Sequence, residues 1–356
     1  MGLLSIRAGG LPSRLARLVA CLLLLGCAPQ AQARAVRVEE RVRVNGAALY
    51  LMTRGASQDL PVMIWLHGGP GGAERPLFRL YNAPLERRLI VAYLDQRGAG
   101  RSFDPAADPK QLTVARHIAD LDAVVDHLRR RYGRDKVILV GHSWGATLGL
   151  LYAQAHPEKV AAFAGVGQPV NEVARQRAQY DFVLAEARRR NEPQVLARIA
   201  QIGPPPYSAD REIATQRIVE RYGGYFHRQL SFPLVLMRGV AGGHIAPWEL
   251  ARFFRGNEVS LEAMNDEALR LDLAASTPAV SVPVIFMLGR HDRQVDSRLA
   301  AAYFETLQAP QKRLQWFEES AHNPPFEEPE AFNAALLRLL AQVGAISADG
   351  TGGPAG

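Results

Sequence analysis

Short apolar runs alternate along the chain with longer segments whose apolar residues have a helical spacing. Residues 36–44 alternate apolar and polar positions, and a second predicted strand at 48–53 follows Asn45-Gly46, a hairpin signal. Near-continuous apolar runs come next, at residues 62–66, 89–94, 137–140, 160–166, 282–288 and 314–317. Runs that are apolar on both faces predict parallel strands covered by helices on each side.

The helical segments lie between these runs. Residues 114–132 carry apolar side chains at spacings of three and four, and residues 146–155, 297–307 and 330–343 follow the same pattern. Alternating strands and helices predict an α/β fold with a mostly parallel central sheet flanked by helices. In such folds ligands bind at the carboxyl ends of the strands, so we expect the chemistry there.

One interval breaks the alternation. Val166 and Val282 are 282 − 166 = 116 residues apart, far beyond an ordinary loop. The interval begins with an Arg-rich, helix-like stretch at residues 172–202. It therefore predicts an inserted helical cap, with these boundaries: cap 171–275, catalytic core 36–170 and 276–343.

Composition and charge exclude little. The 356 residues are 48% hydrophobic and 22% charged, as in ordinary globular proteins. The net charge is +7, but Arg7, Arg14 and Arg17 fall within an acid-free N-terminal segment, and without them the balance is 7 − 3 = +4. No basic run with interleaved aromatic residues occurs, so no nucleic-acid partner is indicated.

The two ends of the chain differ from the body. Residues 1–33 predict an export signal, because three arginines precede an apolar run too short to span a bilayer. Ala31-Gln32-Ala33 is a small-residue cleavage site, whereas Leu24-Leu25-Gly26-Cys27 resembles the bacterial lipobox, which implies cleavage before Cys27 and its acylation. We expect an exported protein, either periplasmic or anchored to a membrane through lipidated Cys27. Residues 344–356 are small and polar and predict a disordered tail.

The strongest chemical motif is Gly141-His142-Ser143-Trp144-Gly145. It directly follows the apolar run VILV and directly precedes a helical segment. This strand–turn–helix context is typical of a nucleophile elbow, in which a sharp turn holds the serine in a strained and exposed position. Ser143 is therefore the predicted nucleophile, and an ordinary glycine-rich turn is the alternative.

A second glycine-rich motif, His67-Gly68-Gly69-Pro70-Gly71-Gly72, follows the apolar run VMIWL. Acyl transfer needs two N–H donors aimed at the developing oxyanion. We predict that the backbone N–H groups of Trp144 and Gly69 supply them. A phosphate-binding loop is the rival interpretation, but the motif lacks G-K-[ST] and its glycine spacing fits no P-loop.

A serine nucleophile needs a base, and the base needs an orienting acid. In elbow enzymes the chain order is serine, acid, histidine, and Asp292 and His322 follow the last two apolar runs in that order. His291 is an alternative base and Asp296 an alternative acid. Other histidines fall on predicted helices and are expected at the surface: His117, His127 and His156.

Together these motifs resemble the α/β-hydrolase fold and, more closely, its proline iminopeptidase branch. The resemblance covers residues 40–170 and 276–343 and rests on HGGPGG, DQRGAGRS, GHSWGATLGLLYA, GRHD and the His322 loop. It implies Ser143 as nucleophile, His322 as general base and acid, and Asp292 as orienting carboxylate. It also implies that one tripeptide supports the site without reacting, Asp95-Gln96-Arg97. The alternative is that two arginines of this segment cap neighbouring elements, Arg97 and Arg101.

Two features depart from that branch or find no match in it. The elbow has His142 where the iminopeptidases usually have glycine. Their caps supply carboxylates that bind the substrate's free amino terminus. Glu172, Glu249 and Glu258 are candidates here, but none matches a family motif and each is also interpretable as a solvated helix acid. The substrate-binding residues therefore stay unassigned.

The resemblance implies a serine hydrolase of the proline iminopeptidase type, which releases N-terminal residues from short peptides through an acyl-enzyme, and the N-terminal segment predicts its export. A carboxylesterase or lactonase with the same triad is the alternative, and a non-catalytic binding protein on the same scaffold is a third interpretation. The chain has no H-E-x-x-H, C-x-x-C or G-x-G-x-x-G, so neither a metal nor an organic cofactor is expected. Peptide or ester preference and oligomeric state stay open.

Overall fold

The computed structural model describes residues 34–228 and 230–347, together with residue 2. Cys27, nearly all of the predicted export signal and the end of the predicted tail lie outside the described residues. Within these ranges, no helix combines the length and the apolar character that crossing a bilayer requires.

The described residues form an eight-stranded sheet in the order β1-β2-β4-β3-β5-β6-β7-β8. β2 is antiparallel to both β1 and β4, and all other neighbouring strands are parallel. The predicted mostly parallel sheet is confirmed, and every predicted run is a strand. The strands are β1 (Val36–Val44), β2 (Ala47–Gly55), β3 (Val62–Leu66), β4 (Ile90–Leu94), β5 (Val137–His142), β6 (Val160–Val166), β7 (Val284–Gly289) and β8 (Lys312–Phe317).

Burial along the strands explains the two sequence patterns. β3, β4, β5 and β7 are buried at every position, because helices cover both faces of the sheet there and leave no polar side. β1 exposes every second residue, because it lies at the edge of the sheet and only one of its faces packs against the core.

Helices of the scaffold flank the sheet, and a helical insertion separates β6 from β7. The helix α2 matches its predicted bounds, since the Thr113 side chain caps its first turn and Gly133, with φ 59°, ends it. The helices are α1 (Arg75–Asn82), α2 (Val114–Tyr132), α3 (Trp144–Ala155), α4 (Glu172–Arg189), α5 (Pro193–Ile202), α6 (Ala209–Arg221), α7 (Phe232–Ala241), α8 (Pro247–Ala268), α9 (Leu273–Ser276), α10 (Ser297–Thr306), α11 (Pro324–Glu327) and α12 (Pro329–Gln342).

The inserted cap, built of α4 to α9, has two differently packed halves. Side chains of α4, α5 and α6 form an apolar cluster of their own around Val183, Ile199 and Val219. Val235 of α7 instead joins the core on one face of the sheet, and Met264 of α8 joins the core on the other. The first half therefore folds on itself, and the second half is fixed to the scaffold.

Two local expectations are corrected. The helix-like stretch 172–202 is two helices, because the chain breaks at Asn191, whose φ is 54°. The tail was predicted to begin at residue 344, but Ala345 and Ile346 are buried in the core that α12 helps to form. These two apolar residues therefore belong to the packed body.

Candidate active site

Ser143 occupies a sharp turn between the last residue of β5 and the first residue of α3. Its backbone has φ 52° and ψ −118°, a strained conformation for a residue with a side chain. The turn needs glycine on both sides: a Cβ at Gly141 would lie 2.2 Å from the Gly145 carbonyl oxygen, and one at Gly145 would lie 2.0 Å from the Leu66 carbonyl oxygen. The structure thus has the strand–turn–helix geometry that the motif predicted.

His322 and Asp292 form a buried pair beyond the ends of β8 and β7. The His322 Nδ1 lies 2.9 Å from the Asp292 Oδ2, and the other carboxylate oxygen accepts hydrogen bonds from the Gln294 and Val295 amides. Because Nδ1–H donates to the carboxylate, Nε2 is left as the basic nitrogen. Burial lowers the pKa of His322 below its usual value, although the charge of Asp292 opposes the shift.

The loop after β6 lies against both Ser143 and His322. The Ser143 amide donates to the Val166 carbonyl oxygen at 2.9 Å. The next residue, Gly167, lies against the imidazole, since a Cβ there would be 2.8 Å from the His322 Cε1. The predicted nucleophile and base therefore both lie beside the loop that follows β6.

The alternative acid and base have other partners. Asp296 caps α10, because its Oδ1 accepts from the amide and from the Nε of Arg298. His291 stacks on His227 with ring centroids 3.7 Å apart. Asp292 is therefore the carboxylate that orients His322 in this structure.

The two predicted oxyanion donors both line the cleft above Ser143. Trp144 is the first residue of α3, and the first N–H groups of a helix have no partner within it. Gly69 has φ 121°, and a Cβ there would lie 2.5 Å from the amides of Gly71 and Gly72. Only glycine fits this position, which brings the main chain close to the cleft.

Gln96 fixes the loop of the oxyanion motif. Its amide donates to the His67 Nε2 at 3.0 Å, its side-chain Nε2 donates to the His67 carbonyl oxygen, and its Oε1 accepts from the indole of Trp144 at 3.1 Å. The arginines of the same segment lie elsewhere: Arg97 binds Asp120 of α2, and Arg101 reaches Glu249 of the cap. Gln96 is thus the buttress, whereas the arginines tether neighbouring elements.

The cap contributes to the cleft a cluster of charges, of which Arg175 and Glu212 are buried and Glu172 is partly buried. Glu172, Arg175 and Glu212 line it together with Ser143. Arg175 contacts both carboxylates, that of Glu212 at 2.5 Å. Burial and the neighbouring Glu172 raise the pKa of Glu212, and Arg175 opposes them. Two acids share one guanidinium, so the cluster has an excess of negative charge when both acids are ionised.

The three cap acids that the sequence offers as candidates lie in different places. Glu172 lines the cleft, but Glu249 pairs with Arg75 and Arg101 near the sheet, and Glu258 is exposed and pairs with Arg255. Neither of the latter two lines the cleft, and the exposed Glu258 fits the other interpretation, a solvated helix acid. Glu212 was missed because its partners belong to another helix, so that no local sequence pattern indicates its burial.

His117 is a further correction, because it is 2% exposed instead of lying at the surface. Its ring packs edge-on against Trp144, with centroids 5.7 Å apart, and its Nδ1 binds the Thr113 carbonyl oxygen at 2.8 Å. It supports Trp144, whose N–H group is one of the two predicted oxyanion donors. Within the described ranges, no group of three or more His, Cys, Asp or Glu side chains is arranged to hold a metal.

The sheet order, the elbow after β5 and the acid and histidine after β7 and β8 are together the features of an α/β hydrolase. The sequence profile of the alpha/beta hydrolase fold matches residues 61–329, and the chain belongs to this family. The chain is 29% identical over 313 residues to the probable aminopeptidase YbaC of Bacillus subtilis, covering 86% of this chain and 96% of the relative.

Two further comparisons concern proline iminopeptidases. A probable proline iminopeptidase of Streptomyces coelicolor is 38% identical over 123 residues, which are 35% of this chain and 37% of the relative. A proline iminopeptidase-related protein from Thermus thermophilus superposes with a TM-score of 0.64 at 21% identity, covering 87% of this chain and 98% of that one. The second likeness shows the fold alone. The resemblance predicted from the motifs is confirmed.

Proposed function

We propose that this protein is an exported serine hydrolase that removes N-terminal residues, proline among them, from short peptides. The observation that supports the proposal best is the composition of the cleft: it is lined by Ser143 and by the carboxylates of Glu172 and Glu212. A reactive serine in a cleft that has an excess of negative charge when both acids are ionised suits a substrate with a carbonyl group close to a cation.

The chemistry follows from the geometry of the site. Ser143 Oγ attacks the carbonyl carbon while His322 Nε2 accepts its proton, and Asp292 stabilises the imidazolium that forms. The N–H groups of Trp144 and Gly69 stabilise the developing oxyanion. His322 then protonates the leaving amine, and water, activated by the same imidazole, hydrolyses the acyl-enzyme.

In this proposal the cap cluster binds the amino terminus of the substrate. A buried carboxylate without a full counter-charge is unfavourable, and an α-ammonium group of the substrate would supply the missing charge. Because the amine and the scissile carbonyl of an N-terminal residue are joined through one carbon, only the first residue of a peptide can satisfy the cluster and Ser143 together.

The relatives support the same conclusion. The relative from Bacillus subtilis is named a probable aminopeptidase, and it aligns over nearly its whole length. The match to the proline iminopeptidase of Streptomyces coelicolor spans about a third of that protein. Preference for proline therefore has less support than aminopeptidase activity.

An esterase or lactonase is the second candidate, favoured by the apolar residues in the same cleft. Leu261, Met264 and Leu271 line it beside the charged cluster, and an acyl chain could pack against them. The triad would act in the same way, and the substrate would need no amine. A non-catalytic binding protein would leave the buried His322–Asp292 pair without a role.

The deciding experiment compares three substrates at neutral pH: prolyl p-nitroanilide, its N-acetylated form and p-nitrophenyl acetate. We expect the free amine to be cleaved and the acetylated anilide to be cleaved at least ~10²-fold more slowly, because a buried carboxylate left unpaired costs ~2–5 kcal/mol. Turnover of the ester with no turnover of either anilide would establish the esterase instead. Failure of a fluorophosphonate to label Ser143 would leave a binding protein.

Export and lipidation form a separate part of the proposal. They are supported by the arginines, the apolar run and the Leu24-Leu25-Gly26-Cys27 motif of the N-terminal segment. Labelling with radioactive palmitate in a bacterial host should mark the wild type and not the Cys27→Ser variant. Labelling that survives the substitution would exclude the anchor at this cysteine.

A further inference from the structure

A second buried pair of an acid and a histidine lies beside the proposed triad. His142, the residue before the nucleophile, is 1% exposed, and Glu74, just before α1, is 8% exposed. The His142 Nδ1 lies 2.9 Å from one carboxylate oxygen of Glu74 and 3.1 Å from the other. Its Nε2 lies 3.0 Å from the His322 carbonyl oxygen, and the two imidazole rings have centroids 4.8 Å apart.

The contacts determine how many protons the pair holds. The carbonyl oxygen of His322 can only accept, so Nε2 of His142 carries a proton. A second proton is needed between Nδ1 and the carboxylate of Glu74. Imidazole is more basic than a carboxylate by about 2 pKa units, so this proton belongs to the ring. His142 is therefore an imidazolium, and Glu74 is its counter-ion.

The same carboxylate also binds the oxyanion loop, residues 67–72. The Gly68 amide donates to the Glu74 Oε2 at 3.1 Å. The Gly68 carbonyl oxygen, on the peptide that carries the Gly69 N–H, accepts from the Gly72 amide and from the Nδ1 of His67. A Cβ at residue 68 would lie 2.8 Å from the Glu74 Oε1, so an added side chain there would displace the carboxylate.

We propose that Glu74 and His142 act as a carboxylate–imidazolium pair that positions the general base and the oxyanion loop relative to the nucleophile. One end of the pair holds the backbone of His322, the other holds Gly68, and His142 is covalently joined to Ser143. The inference rests on the proposed function, because it assigns a task to residues that support the proposed triad. Both are positioning residues, since neither contacts the reacting atoms.

Other titratable groups around the pair are consistent with its charges. Burial lowers the pKa of His142, but Glu74 outweighs burial and the pKa is raised overall. Burial raises the pKa of Glu74, but His142 reverses this and the pKa is lowered. Four further titratable groups among the described residues interact electrostatically with Glu74 or His142. They are His67, His322, Asp292 and Tyr225.

The protonation state can be measured without any substrate. Nitrogen-15 NMR of the histidine rings distinguishes an imidazolium from either neutral tautomer, and a His142→Gly variant assigns the resonance. We expect His142 to be doubly protonated from pH 6 to 8, where an unperturbed imidazole with a pKa of about 6.5 loses its charge, and to become neutral at pH 8 in Glu74→Gln. A neutral His142 in the wild type at pH 7 would overturn the proposal.

The catalytic role is measured by the rate at which a fluorophosphonate labels Ser143, and by kcat and KM on the arylamide. Glu74→Gln keeps the shape but removes the charge, and we expect kcat and the labelling rate to fall about 10²-fold with little change in KM, as for a small misplacement of reacting groups. The double variant with His142→Gly should be no slower than the worse single variant, because the pair acts as a unit.

A matched control lies on the far side of the scaffold. His127 and Glu40 form a partly exposed contact of the same type at 3.1 Å, and Glu40→Gln and His127→Ala should leave the labelling rate unchanged. Equal rates in Glu74→Gln and the wild type would refute the positioning role. If Glu74→Gln fails to fold, the NMR measurement on the wild type still decides the charge state. Normal labelling without arylamide turnover would refute the aminopeptidase and leave the pair intact.

Discussion

The buried charges beneath Ser143 and those above it in the cap are balanced differently. Beneath it, two carboxylates each have one imidazole: Asp292 is paired with His322, and Glu74 with His142. Main-chain amides donate further hydrogen bonds to both carboxylates. Above it, the two carboxylates of the cap cluster share one cation, Arg175, among the residues that the structure describes.

The difference separates positioning from binding. Each lower carboxylate has its hydrogen bonds supplied by an imidazole and by main-chain amides, so the lower pairs hold the geometry whether or not substrate is present. The cap cluster has a deficit of positive charge in a desolvated place, and a cationic ligand would relieve it. Substitutions below Ser143 should therefore change the rate of chemistry on every substrate, and those above should change which substrates are accepted.

The largest expected effect comes from the lower region. Ser143→Ala should reduce kcat on prolyl p-nitroanilide by about 10⁶-fold, and Asp292→Asn, which keeps the shape of the pair, by about 10⁴-fold. The same factors should apply to any ester that the wild type hydrolyses. Single-turnover and steady-state rates measure them, and an Asp292→Asn enzyme with near-wild-type kcat would show that His322 is oriented by another group.

The upper region should respond selectively. Glu212→Gln removes one of the excess charges but retains the volume, so kcat/KM on the free-amine arylamide should fall about 10²-fold. Labelling of Ser143 by a fluorophosphonate, which carries no amine, should be unchanged. Glu258→Gln is the control, because that residue is an exposed cap acid. Equal losses for the arylamide and for labelling would place Glu212 in the machinery of catalysis instead of recognition.

Much of the lower region could be predicted from the sequence because it is encoded locally. Ser143, Asp292 and His322 each follow a buried strand, and the carboxyl ends of parallel strands meet at one edge of the sheet. The glycines at 141 and 145 are also a local signal of the elbow, because the backbone approaches so closely there that no other residue fits.

The upper region could not be predicted in this way. Glu172 and Glu212 lie on different helices, and only the packing of α4 on α6 brings them to the same guanidinium. Helical spacing made all cap acids equivalent, so Glu249 and Glu258 were candidates of equal rank. His142 was visible as a departure from the family, but its partner Glu74 precedes a short helix that the sequence pattern did not indicate.

A smaller effect is expected in the pH dependence of kcat/KM, on the acid side of its plateau. Since burial lowers the pKa of His322 despite Asp292, the imidazole should stay neutral, and able to accept the serine proton, to lower pH than an exposed one. An imidazole with a pKa of about 6.5 would be only about one-quarter neutral at pH 6. We expect kcat/KM at pH 6 to exceed that fraction of its plateau, with a midpoint below 6.5. A midpoint at or above 6.5 would contradict the lowered pKa of His322.

The smallest effect should come from a third acid beneath Ser143, which has no imidazole. Glu327 accepts hydrogen bonds from the amides of Ala321 and Asn323, on either side of His322, and from the amide of His227 in the cap. Burial raises the pKa of Glu327 to about 8, although these amides oppose the shift.

Between its usual value of 4.5 and about 8, the native state keeps a proton on Glu327 that the unfolded chain releases. This contribution to stability is therefore complete below pH 4.5 and is lost as the pH rises through the window. Glu327→Gln cannot titrate, so the fall of Tm from pH 5 to pH 8 should be shallower than in the wild type, by a few degrees at most. Thermal melts at several pH values measure it, with the exposed Glu330→Gln as control. Parallel Tm curves for Glu327→Gln and the wild type would mean that Glu327 is ionised throughout. The contrast with the cap cluster would then hold only for Asp292 and Glu74, the two acids that have an imidazole partner.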